Sequence, residues 1–149
     1  MGAIFPTSDS TPPVTLYSSF LADDADPIDG TTMVPILTLV VPTGYYKFEV
    51  LIPYTSGSSS DASFQVTTSS GGFKAMISGV SPPTNEPIYY SGDTITLNGS
   101  GSSAEKGLFY YGTFMCSEEA TITVSGAEFF DGSTDLVVRS GARVTAQKL

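Results

Sequence analysis

Four aspartates fall within seven positions: Asp23, Asp24, Asp26 and Asp29. Hard carboxylate oxygens at that density are ligands that Ca²⁺ can use. The spacing does not follow an EF-hand, and no Glu closes the loop. A solvated turn in which Asp caps backbone amides is therefore preferred to a metal site. Other chemistry is scarce. The chain has no histidine, which removes Ser-His-Asp and Cys-His catalysis and His-ligated metals. Cys116 is the only cysteine, so neither an intrachain disulfide nor a thiolate cluster can form. Set in an aromatic run, it reads as a small buried hydrophobe. Glu118 and Glu119 are neighbours, and neighbours in a strand point apart, which does not suit paired-carboxylate glycosidase work. The run from Gly99 to Gly107 carries Lys106 but lacks the Gly-Lys-Ser/Thr of a phosphate loop. Tyr89 and Tyr90, beside a proline-rich loop, could stack on a sugar ring, although packing of that loop onto the body is the preferred reading. No catalytic residue and no cofactor is expected, and the chain is read as not an enzyme.

The elements that would position any site are strands. Only 14% of the 149 residues are charged, and fifteen acids outnumber six bases for a formal charge of −9. That balance disfavours nucleic acid, which is bound mainly through Lys and Arg at phosphates. A hydrophobic share of 40%, with eight tyrosines and nine phenylalanines, argues against disorder. No basic leader and no long apolar stretch is present, so neither a signal peptide nor a membrane span is expected. The charge is uneven. No Lys or Arg precedes Lys47, and both arginines, Arg139 and Arg143, lie near the C-terminus. An acidic front and a basic tail could thus meet across subunits.

Residues 1–13 hold Pro6, Pro12 and Pro13 and read as an extended arm with Ile4 and Phe5 as its only large apolar anchors. Residues 14–149 read as one domain. Strands are expected over 14–21, 33–41, 45–54, 62–68, 73–77, 93–98, 107–117, 120–125 and, broken at Ser140-Gly141, 136–149. The clearest is 45–54, where Tyr46, Phe48, Val50, Ile52 and Tyr54 line one face and Tyr45, Lys47, Glu49, Leu51 and Pro53 the other. Pro35 marks an edge or a strand start. Gly71-Gly72 reads as a hairpin turn, Gly99–Lys106 as a flexible loop, and Ser140-Gly141 as a bulge or kink. No helical period appears. Strands of this spacing with Gly/Pro turns point to an all-β antiparallel jelly-roll sandwich of about eight to nine strands.

One strand breaks the pattern of a single apolar face. In 107–117, Leu108, Tyr110, Phe114 and Cys116 point one way and Phe109, Tyr111 and Met115 the other. A sandwich core uses only the first set. The second needs a cover, and another subunit is the natural one.

Three segments carry a resemblance: Gly44 to Tyr54, Gly107 to Ala127 and Leu136 to Leu149. Together they resemble the small jelly-roll modules of tailed-phage structural proteins, distantly similar to the TNF/C1q-like fold. Tyr46-Lys47-Phe48-Glu49 would be the opening strand motif and Gly141-Ala142-Arg143-Val144 the start of the final strand, where the family more often has Gly-Ser. The resemblance implies a homotrimer and a non-enzymatic virion protein. It is most like a capsid decoration (cement) protein that sits on the outer surface of the head, bridges capsomers of the major capsid protein, and is assembled in the host cytoplasm. Phe109, Tyr111 and Met115 would then form the trimer interface, and Ile4 and Phe5 the capsid contact. The alternative is a receptor- or carbohydrate-binding module of a phage tail or fibre, with Tyr89 and Tyr90 as its candidates.

Overall fold

A computed structural model describes residues 13–57, 61–78, 88–97, 101–129 and 134–149. Among them run ten strands: β1 (Leu16–Phe20), β2 (Val34–Val41), β3 (Gly44–Ser56), β4 (Ala62–Thr68), β5 (Gly72–Ser78), β6 (Thr94–Leu97), β7 (Gly101–Cys116), β8 (Ala120–Glu128), β9 (Val137–Val138) and β10 (Arg143–Lys148). They form two antiparallel sheets. One holds six strands in the order β1-β10-β3-β7-β5, with β9 also on β3, and the other has the order β2-β8-β4-β6. The all-β sandwich expected from the spacing is what the chain adopts. The Ile4 and Phe5 anchors lie outside the described residues, as does all but the last residue of the proposed arm.

The core is the sum of the inward positions. Tyr46, Phe48, Val50, Ile52 and Tyr54 of β3 are fully buried, and so are the facing Phe64, Ile122 and Val124 of the other sheet. Aromatic rings mesh edge-on between and along the sheets, as in Tyr54 with Phe64 at 5.3 Å and Phe73 with Tyr110 at 5.9 Å. Such geometry adds about 0.5–1.5 kcal/mol per pair beyond burial.

From β1 to β9 the strands alternate between the sheets, and β10 joins the same sheet as β9 without pairing with it, so no two consecutive strands are hydrogen-bonded to each other. This corrects the hairpin at Gly71-Gly72. β4 pairs with β6 and β8, whereas β5 pairs with β7. The turn carries the chain across the sandwich. Glycine is nonetheless required there, because Gly71 has φ +75 and a Cβ would strike the Met115 carbonyl. The flexible loop expected over Gly99–Lys106 is also corrected, since β7 begins at Gly101. Tyr54 pairs with Lys106 and Ser56 with Gly101, with the surplus residues of the register shift on β7. The ladder to β3 supplies what these small polar residues lack in strand preference.

Two local readings hold. Pro35 lies in β2, at the edge of its sheet, where the register to β8 shifts. β9 and β10 lie along the same edge of β3, interrupted at Ser140-Gly141. Arg139 N–H still donates to Pro53 O across the gap at 2.9 Å.

Candidate functional site

The outward positions of the six-stranded sheet make one continuous face. Register places Met76, Tyr111, Glu49, Thr145 and Ser18 in one row across five strands. Neighbouring rows are Lys74–Thr113–Lys47–Gln147–Leu16 and Ser78–Phe109–Leu51–Arg143–Phe20, and Gly72–Met115–Tyr45 begins a fourth. Phe109, Tyr111 and Met115 all stand here. Phe109 and Tyr111 stack on each other at 5.4 Å with 23° between their planes, each shielding part of the other. Met115 stands apart from them, 64% exposed, beside Tyr45 at 47%. At the far edge, Leu16 and Phe20 of β1 are 61% and 68% exposed. Tyr45 was legible as an outward residue. The β1 pair follows the same period-two rule but was hidden by the weakness of its inward face, where Ser19 stands beside Tyr17.

This face holds three cations, Lys47, Lys74 and Arg143, against Glu49 among the residues of the rows above. Lys47 pairs with Glu49 at 3.5 Å. It is therefore locally positive in a chain of charge −9.

The acidic turn serves a different end. Asp24 Oδ1 accepts the Ser140 N–H at 2.8 Å, and Oδ2 accepts from Arg139 Nη1 at 2.7 Å. Arg139 also donates to Thr55 Oγ1. The Ser140 amide, then the Arg139 guanidinium, hold the Asp24 carboxyl below its ordinary value. Both oxygens are thus engaged in clasping the β9–β10 interruption. Among the described residues no group of three or more His, Cys, Asp or Glu side chains converges as a metal site would require. Asp24 of the acidic front and Arg139 of the basic tail meet within one chain.

The remaining candidates have local roles. Cys116 is buried, its Sγ donating to Pro42 O at 3.3 Å. Glu118 accepts from Ser70 Oγ at 3.0 Å and steadies the turn before β5. Tyr89 exchanges both backbone hydrogen bonds with Ala75 and packs its ring 6.2 Å from Tyr110. Tyr90 turns outward instead, 50% exposed, with its N–H held by Asp93 Oδ2 at 2.7 Å. One feature escaped the sequence reading: Glu128 at the end of β8 is buried, with Oε2 accepting the Gly30 N–H at 3.1 Å. Nothing in its neighbourhood in sequence signals that contact, which spans 98 positions.

The outward face of the four-stranded sheet is unlike the first. Thr38, Thr123 and Thr67 form one row, Ser125, Gln65 and Thr94 the next, and Ser63 and Thr96 follow. None of these is charged.

No family model matches the chain, and no curated protein matches it. Among solved structures, the Eiger TNF from S. frugiperda shares 10% identity over 93% of this chain and 94% of that one, with a TM-score of 0.50. A structure of the infectious bursal disease virus Gx strain shares 14% identity over 99% of this chain and 44% of that one, at a TM-score of 0.21 that carries no weight. The chain therefore has a TNF-like jelly-roll fold.

Proposed function

We propose that this chain is a non-enzymatic structural protein that assembles as a homotrimer through the outward face of its six-stranded sheet. We further read it as a decoration protein on the outer surface of a virus head, where trimers bridge neighbouring capsomers of the major capsid protein. The observation that carries self-association is the Phe109–Tyr111 stack, with Met115 on the same strand, on the far side of a sheet whose inner face already fills the core. Apolar side chains clustered on an outward sheet face, uncovered by their own chain, mark an interaction surface. Closed rings bury it without leaving a free copy. The TNF-like fold and the phage-module resemblance both favour the trimer. On a head, threefold repetition makes modest contacts firm through avidity.

Two experiments test the reading. Light scattering coupled to size exclusion should give three times the 15.6 kDa chain mass, and Tyr111→Asp should give one. An oligomer that survives Tyr111→Asp removes the interface assignment. Gold-labelled antibody on virus particles should mark heads, and label confined to tails or absent from particles would overturn the decoration role.

A further inference from the structure

Above the Phe109–Tyr111 stack, the same face opens into a groove of about 340 Å³ lined by Tyr45, Lys74, Tyr90, Thr113 and Met115 over the small floor of Gly72. From the juxtaposition of two half-exposed tyrosines around a single lysine, we infer that this groove binds an acidic sugar, a pyranose ring carrying a carboxylate. The inference does not rest on the trimer. The groove shares Met115 with the proposed interface, and Thr113 lies two residues from Tyr111, about 7 Å at strand rise, so the groove must stay open at this end of the assembled face.

The walls fit that ligand class. Tyr45 and Tyr90 each present an amphipathic ring, apolar on the face and polar at the tip, at low cost in side-chain entropy. Tyr90 is set in place before any ligand arrives, by Asp93 at its own N–H and by the Tyr89–Ala75 bridge one residue back. The volume is at the low end of the roughly 300–1,000 Å³ of ligand sites, which are mostly apolar with few polar groups to fix orientation. Here the polar residues of the lining that could fix a ligand are Thr113 and Lys74. Lys74 belongs to neither of the two ion pairs among the described residues, Lys47–Glu49 and Arg139–Asp24. An anion on the ligand would complete it. A nucleic acid backbone needs a row of cations, which this groove lacks. A simple alkyl chain would gain nothing from the hydroxyls. A neutral sugar would leave the lysine unmatched.

The test is a chemical-shift titration of the full chain, in its native oligomeric state, with sialyllactose and with a glucuronic acid disaccharide, against lactose as the neutral control. Millimolar binding of either acidic probe is expected, with shifts gathered at Tyr45, Lys74, Tyr90 and Thr113 and lactose weaker by about tenfold. Lys74→Gln should erase the preference for acid, and Tyr90→Ala should weaken both classes by about tenfold. The inference falls if neither acidic probe shifts these residues, if lactose binds as well as they do, or if Lys74→Gln changes nothing. Elution at one third of the assembled mass would count against the trimer alone.

Discussion

The two outward faces of this sandwich are built on one rule and come out differently. Each sheet spends its inward positions on the core, so the outward positions are free of packing demands. On the four-stranded sheet they are filled mostly by Thr, Ser and Gln, with Ser63 and Ser125 buried and Val40 an exposed apolar exception. On the six-stranded sheet the same free positions hold Phe109, Tyr111, Met115, Tyr45, Leu16 and Phe20, with three cations among them. A sheet that needed only solubility would look like the first. The contrast, more than any motif, supports the proposed surface of assembly.

The largest effect expected on that contrast is structural. A Cβ at Gly112 would collide with the Lys74 carbonyl and crowd the Ala75 backbone, where β5 meets β7. Gly112→Val should cost about 3 kcal/mol in chemical denaturation and strip β5 from the working face. Next comes a pair of matched substitutions, one on each face. Tyr111→Asp should abolish assembly and Thr123→Asp should leave the assembled mass unchanged, so equal behaviour of the two would erase the distinction between faces.

A pH effect follows in size. Burial, and secondarily the Asp61 charge, pushes the Tyr54 phenol from 10.0 up to about 12. Burial also raises Tyr110 and Tyr46. These phenols are raised in the folded state, so their contribution is whole below pH 10 and is lost as pH rises through the folded values. Spectroscopic titration should show tyrosines ionising together with unfolding near pH 12, and Tyr54→Phe should postpone it. The smallest effect is at Asp24, whose folded pKa is depressed. Its contribution is present above about 3.8 and lost as pH falls through the folded value. Asp24→Asn should lower the thermal midpoint slightly at pH 7 and not at pH 2.

Much of this was legible before the structure. Strict alternation in β3 assigned every one of its residues from Tyr45 to Tyr54 to the correct face, because a half-buried strand leaves a period-two record. The second apolar face of β7 was legible for the same reason. What failed was anything that depends on partners far along the chain. Gly71-Gly72 carries a genuine turn signal, but a turn does not say which sheet its exit strand will join. Gly101 to Lys106 has no alternation to read, and only pairing with β3 makes it a strand. Asp24 meets Arg139 and caps the Ser140 amide across more than a hundred positions, so the acidic turn read as a local cap is one half of a clasp. Tyr45, Lys74 and Tyr90 come from three separate segments that register alone brings to one groove.

The strand order has a consequence for how the molecule is made. β10 lies between β1 and β3, and neither of the chain's first two six-sheet strands can pair with it until residues 143–148 have been synthesised. With every ladder formed between distant segments, the entropy of closing long loops comes due before any sheet is complete. Folding should accordingly be slow for a chain of this size, in the millisecond-to-second range of all-β domains. Until the last strand arrives, the nascent chain exposes the edges of β1 and β3 together with the aromatics of its proposed interface. Emergence from the ribosome, crowded among other copies, is therefore the moment at which this protein is most exposed to mispairing with its own kind.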